Sequence, residues 1–217
     1  MKGLLGFLAA LFLHAQEPVN HEGSAGLRFG NGAVELVVLP HGGAFVSFTL
    51  SEDPNRVNPM WEPEANGPSR GHFLCVDGFG PVTAAERDAG FPEHGEANKL
   101  PWEVLRSTES SATFRVRLPL AQETLTRTVT MAPNEQVVLV ETSIESALAF
   151  DRVILLAEHA TIGAPFLRLG KTVVDQSARR CRTKSYSEKG QSRFPEGAGF
   201  EWPNLPGHGD MRRSPAR

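Results

Sequence analysis

Residues 112–131 read ATFRVRLPLAQETLTRTVTM, and their alternation decides the fold class. Between 112 and 118, Phe114, Val116 and Leu118 fall on one face, and Thr113, Arg115 and Arg117 on the other. Between 124 and 131, Leu125, Val129 and Met131 share a face with Arg127, while Thr124, Thr126, Thr128 and Thr130 line the opposite one. A period of two belongs to a strand, whose successive side chains point to opposite faces, and threonine suits a pleated surface. Residues 132–135 (APNE) read as a turn, 136–144 as a third strand and 150–157 as a fourth. Strands that follow one another through short turns predict an antiparallel meander in a large sandwich or barrel.

Upstream, residues 33–39 form a near-continuous apolar run ended by the turn Pro40-His41-Gly42-Gly43, and 44–50 complete a hairpin. Residues 51–71 are rich in Pro, Asn, Glu and Gly and read as a long loop in which Trp61 stands out. A short strand is expected at 71–76, then a loop over 77–91 with one helical turn at 84–88. Downstream of Gly170 the pattern weakens. Residues 171–189 are polar and basic and read as a solvated loop, and 194–217 are loop-like with many prolines. No long amphipathic helix and no internal repeat is found.

The chain has 217 residues, enough for one sizeable β domain. Hydrophobic content of 40% with 22% charged residues is that of a folded protein rather than a disordered one. A formal net charge of -3, with lysine and arginine spread along the chain, argues against nucleic acid or an anionic membrane as partner. Residues 1–16 carry Lys2 followed by an apolar run over 3–13, the pattern of a signal peptide and too short for a membrane span. The expected organisation is a signal peptide at 1–16, a linker at 17–31, a β domain at 32–210 and a tail at 211–217. The expected location is secreted or periplasmic, with no membrane attachment after signal removal. Oligomeric state is not legible. Cys75 sits in an apolar run and reads as a core residue, while its pairing with Cys181 is left open by sequence.

Chemistry concentrates in two stretches. Residues 90–104 read GFPEHGEANKLPWEV and set His94 between Glu93 and Glu96 on a glycine-containing turn, ahead of Trp102. Residues 158–165 read EHATIGAP and place a second histidine, His159, after Glu158. Histidine titrates near neutral pH and suits proton transfer. Two such histidines facing each other across a sugar-sized pocket are the expected centre of the site. Trp102 opens a strand-like run and reads as a core side chain. His41, His72 and His208 read as surface or turn histidines.

Taken in order, the hairpin over 36–50, His94-Gly95 with Trp102, and His159 with Gly163 and Pro165 resemble the aldose 1-epimerase (galactose mutarotase-like) superfamily across roughly residues 26–210. That resemblance implies an all-β fold, an antiparallel β-supersandwich, incomplete at the C-terminus. It implies interconversion of sugar anomers by acid/base ring opening, with a small-molecule sugar as partner, no cofactor and no metal. His159 would protonate the ring oxygen and His94 would bind ring or hydroxyl oxygens. Glu93, Glu96, Trp102 and Arg70 would contact the substrate. Asp210-Met211-Arg212 resembles a motif that the superfamily carries midway, and its base is a glutamate further on, so impaired catalysis is expected. Glu158 and Glu201 are carboxylates without a spacing that would mark them as substitutes. A non-catalytic secreted carbohydrate-binding domain is the alternative. A metal-dependent hydrolase using His94, His159 and Glu93 or Glu96 is a third reading.

Overall fold

The apolar run at 33–39 is long because its sheet is covered on both faces. In a computed structural model of the chain, residues 18–63, 69–183 and 194–207 are described. The expected signal peptide, the motif at 210–212, His208 and the tail at 211–217 lie outside the described residues. Five strands open the fold: β1 (Pro18–His21), β2 (Ser24–Gly30), β3 (Val34–Leu39), β4 (Ala44–Leu50) and β5 (His72–Val76). A single turn of helix, α1 (Ala84–Asp88), follows where one was expected, closed by a capping box between Thr83 and Glu86. The meander β6 (Glu103–Ser107), β7 (Ser111–Leu118), β8 (Glu123–Met131) and β9 (Val138–Ser146) makes a second sheet. The chain then returns, and β10 (Leu156–Ala160) joins the first sheet, giving the order β1-β2-β3-β4-β5-β10 with every neighbouring pair antiparallel.

The two sheets share one core. Phe29, Leu36, Val38, Phe45 and Leu74 of the first sheet pack in one cluster with Phe114, Val116, Leu125, Val129 and Met131 of the second. The residues predicted to face inward on β7 and β8 do so. On β8 burial alternates strictly from Glu123 to Met131, with the threonines half-exposed between. A second cluster, Val37, Leu39, Ala44, Val46, Phe73 and Cys75, lies on the other face of the first sheet. Strands buried on both faces read as continuous apolar runs, as β3 does.

Four expectations are corrected. Residues 17–31 are not a linker: β1 and β2 occupy most of them, and Phe29 is in the core. Glycines hid the strand, since Gly26 lets β2 press on Val37 and Leu39, where a side chain would meet atoms 3.1–3.2 Å away. The fourth strand starts at Leu156, not at 150. The described chain divides between Leu167 and Arg168 rather than forming one domain over 32–210. The second unit holds a small antiparallel pair, β11 (Arg180–Arg182) and β12 (Gly199–Glu201), inside what read as loop. Both cysteines are free thiols.

Candidate active site

His94 reaches its place through a turn with two left-handed residues, His94 at φ 66° and Gly95 at φ 78°. Gly95 passes so close to β5 that a Cβ there would lie 1.9 Å from the Val76 carbonyl oxygen. Only glycine fits that approach and that φ. The turn thereby presses against β5 and delivers the His94 ring to the face carrying Phe73 and Cys75.

His159 arrives at the same face by strand pairing. In the β5–β10 register His159 stands opposite Phe73, and opposite residues share a face. The two rings stack with centroids 4.5 Å apart and planes 13° from parallel. His94 meets His159 edge to face at 5.4 Å, and Phe73 at 5.5 Å. Two histidines 65 positions apart (159 minus 94) are thus brought together by register.

Each ring is held. The Gly80 backbone N–H donates to His94 Nδ1 at 3.3 Å, and Cys75 Sγ lies 3.6 Å from the same nitrogen. His94 Nε2 lies 3.8 Å from Glu93 Oε1, whose side chain is 56% exposed. Burial pushes the His94 imidazole below its ordinary pKa, with His159 and Lys99 adding to the shift and Glu93 opposing it. Burial raises the Cys75 thiol to about 11, against the pull of Lys99. Lys99 is itself lowered by burial, opposed by Glu93 and Cys75. Nothing in the sequence marked Lys99 or Cys75 as neighbours of His94 except, for Lys99, its place in the same stretch. His159 Nδ1 is 3.1 Å from Thr161 Oγ1.

The other expected contacts lie elsewhere. Glu96 is buried, and its carboxylate accepts N–H groups from Leu120 and Ala121 at 2.9–3.1 Å, which ties the turn to the β7–β8 connection. It is not a hydroxyl ligand, because its oxygens are taken by backbone donors. Trp102 is a core residue at 3% exposure, donates from Nε1 to the Ala97 carbonyl and packs on Gly43, so it presents no face to a sugar. Arg70 is buried and donates from Nη2 to Ser24 Oγ.

Glu158 does not stand with the histidines either. Opposite Leu74 in the register, it sits on the face turned to the second sheet. There it accepts two hydrogen bonds from the buried Arg127, at 2.9 and 2.8 Å, and one from His72 at 2.6 Å. Burial opposes its ionisation, but the His72 and Arg127 hydrogen bonds and the Arg127 charge outweigh it and hold the carboxyl at about 2. His72, expected on the surface, is a structural partner of this ion pair.

Metal ligation by His94, His159 and Glu93 or Glu96 has no matching geometry. Among the described residues, the group that brings three ligand atoms within 4.8 Å of one another is His21, Glu22 and Glu62, in which His21 and Glu62 are already hydrogen-bonded at 2.8 Å. Of these, His21 ends β1, at the opposite end of the sheet order from β10. A cleft of about 700 Å³ is lined by Leu100, Pro101, Glu103, Arg115 and Arg117 and contains no histidine.

No family model matches the chain, and no curated protein matches its sequence. Among solved structures, a galactose mutarotase-like protein from Lactobacillus casei ATCC 334 aligns with a TM-score of 0.61 and 14% identity, over 84% of this chain and 65% of that one. A galactose mutarotase related enzyme from Lactobacillus acidophilus aligns with a TM-score of 0.41 and 15% identity, over 50% of this chain and 40% of that one. The chain therefore spans less than two thirds of the length of either protein. Two antiparallel sheets about one core, with the first of these likenesses covering most of the chain, give it an all-β, galactose mutarotase-like fold.

Proposed function

We propose that the chain binds a free sugar over the His94–His159 pair and interconverts its anomers by acid/base ring opening. The observation that carries this reading is the pair itself: two imidazoles 5.4 Å apart, one stacked on Phe73, in a chain with a mutarotase-like fold. In the reaction a base takes the proton of the anomeric hydroxyl and an acid gives one to the ring oxygen. The ring opens to the aldehyde, rotates about one bond and recloses on the other face. His159 is assigned the proton transfer to the ring oxygen, and His94 a hydrogen bond to a sugar oxygen. Glu93 is the carboxylate beside the pair and takes the anomeric proton, while Glu158 is excluded by its bonds to Arg127 and His72.

Binding without turnover is the second reading, and the exposure of Glu93 favours it. Its side chain is 56% open to water, so no enclosed site holds the carboxylate against an anomeric hydroxyl. Polarimetry of freshly dissolved α-galactose and α-glucose separates the two. The chain is expected to speed equilibration, and His159→Ala to lose about 100-fold, the scale of a positioned acid. If the chain adds nothing to the spontaneous rate with either sugar, catalysis on those sugars is refuted. Saturation-transfer NMR with the same sugars then decides whether binding survives.

A further inference from the structure

We propose that Cys75 is a positioning residue for His94: with the Gly80 amide it holds the neutral imidazole in the tautomer that carries its proton on Nε2, so that His94 meets its ligand as a hydrogen-bond donor. The role toward a sugar rests on the proposed function above; the tautomer does not.

The inference starts from what a backbone amide can do. An N–H only donates, and that of Gly80 points at His94 Nδ1 from 3.3 Å. Nδ1 must therefore present its lone pair, and a neutral ring then keeps its one proton on Nε2. Cys75 Sγ stands 3.6 Å from the same lone pair, so its S–H donates there too. The thiol is fully buried, with Phe73 on one side of it in the same strand and the His94 turn packed against Val76 on the other. Burial keeps it protonated at neutral pH and keeps His94 uncharged. The groups whose charges act on His94 are Glu93, His159 and Lys99. Of these, Glu93 is on the Nε2 side at 3.8 Å.

The consequence is a division of labour. With two donors on Nδ1 and Nε2–H on the side of Glu93, His94 gives a hydrogen bond without needing to gain or lose a proton. Proton movement then falls to His159, whose Nδ1 contact is a hydroxyl, Thr161, able to donate or accept. A hydroxyl adapts to either state of a ring that changes protonation; a backbone N–H does not.

The test is long-range ¹H–¹⁵N correlation of the full chain at pH 7.5, with His94→Gln to identify the ring signals. His94 is expected with Nε2 protonated and Nδ1 unprotonated. In Cys75→Ala the Nδ1 signal should move and the anomerisation rate fall about fivefold in kcat, the scale of one hydrogen bond. Cys75→Ser, which restores a donor, should recover both. A proton on Nδ1, or a charged ring at this pH, overturns the inference. So do Ala and Ser variants with the same His94 spectrum as each other. The spectra need no turnover: expected spectra without anomer catalysis refute the catalytic reading and leave the tautomer standing, and the reverse result does the opposite.

Discussion

Three neighbours in one turn, His94, Gly95 and Glu96, have three unrelated tasks. His94 is presented to the outer face of the first sheet, Gly95 makes room for the Val76 carbonyl, and Glu96 caps the β7–β8 connection. Gly95→Ala would put a methyl group into that carbonyl and force a left-handed φ on alanine. The expected loss is about 3 kcal/mol or more in urea unfolding. Glu96→Gln keeps one strong acceptor and loses the charge; about 1–2 kcal/mol of stability should go, with sugar binding unchanged in the folded fraction. His94 makes a pH prediction. Its folded pKa is depressed by burial below 6.5, so the unfolded chain takes up the proton first. The stabilising contribution is complete above the unfolded value and is lost as pH falls through the folded one. Following the His94 ring by NMR from pH 8 to pH 5 should give a midpoint below 6.5; a midpoint above it would overturn the assignment of burial as the cause.

At the scale of elements, β10 matters most because it brings His159 beside His94. Its face toward the second sheet is pinned by Glu158 to Arg127 of β8 and to His72 of β5. Past its end, Thr161 bonds Gly71 and Trp61, and Gly163 passes so near Trp61 that a Cβ would lie 2.9 Å from the Trp61 Cα. A stretch that reads as loop, 51–71, thus straps β10 down. Glu158→Gln leaves the Arg127 guanidinium, 3% exposed, without its counter-charge. About 2 kcal/mol should be lost, and hydrogen exchange should quicken first at 156–160. The Glu158 carboxyl is held at about 2, so its contribution is present above its ordinary value of 4.5 and fades as pH falls toward 2. Acid should therefore loosen β10 before the β7–β8 core.

Over the whole molecule, apolar side chains are not evenly hidden. Phe150, Val153, Leu155, Leu156, Phe166 and Leu167 are 48–80% exposed within one stretch of chain. Clustered exposure of this kind marks a sticky surface. The chain should brighten a hydrophobic dye at neutral pH, and Val153→Ser with Leu167→Ser should dim it while moving unfolding free energy by no more than about 0.5 kcal/mol. A dye signal unchanged by both substitutions would place the sticky surface elsewhere.

Periodicity was enough for the meander, because a strand with one face on the core writes its register into alternate residues: Phe114, Val116, Leu125 and Val129 were legible at once. Turn chemistry was enough for the Pro40–Gly43 corner and for α1. Where a glycine does the packing, as at Gly26, alternation vanishes and β2 reads as linker. The two histidines were legible as a facing pair, but not that their rings would stand 5.4 Å apart on one sheet face with Phe73, which depends on β10 pairing with β5 across the 79 residues (77 to 155) between those strands. The fates of Glu93, Glu96 and Glu158 were beyond sequence altogether. A carboxylate is the same residue whether it faces solvent, caps a turn or neutralises a buried arginine, and only the tertiary structure decides which donors and charges surround it.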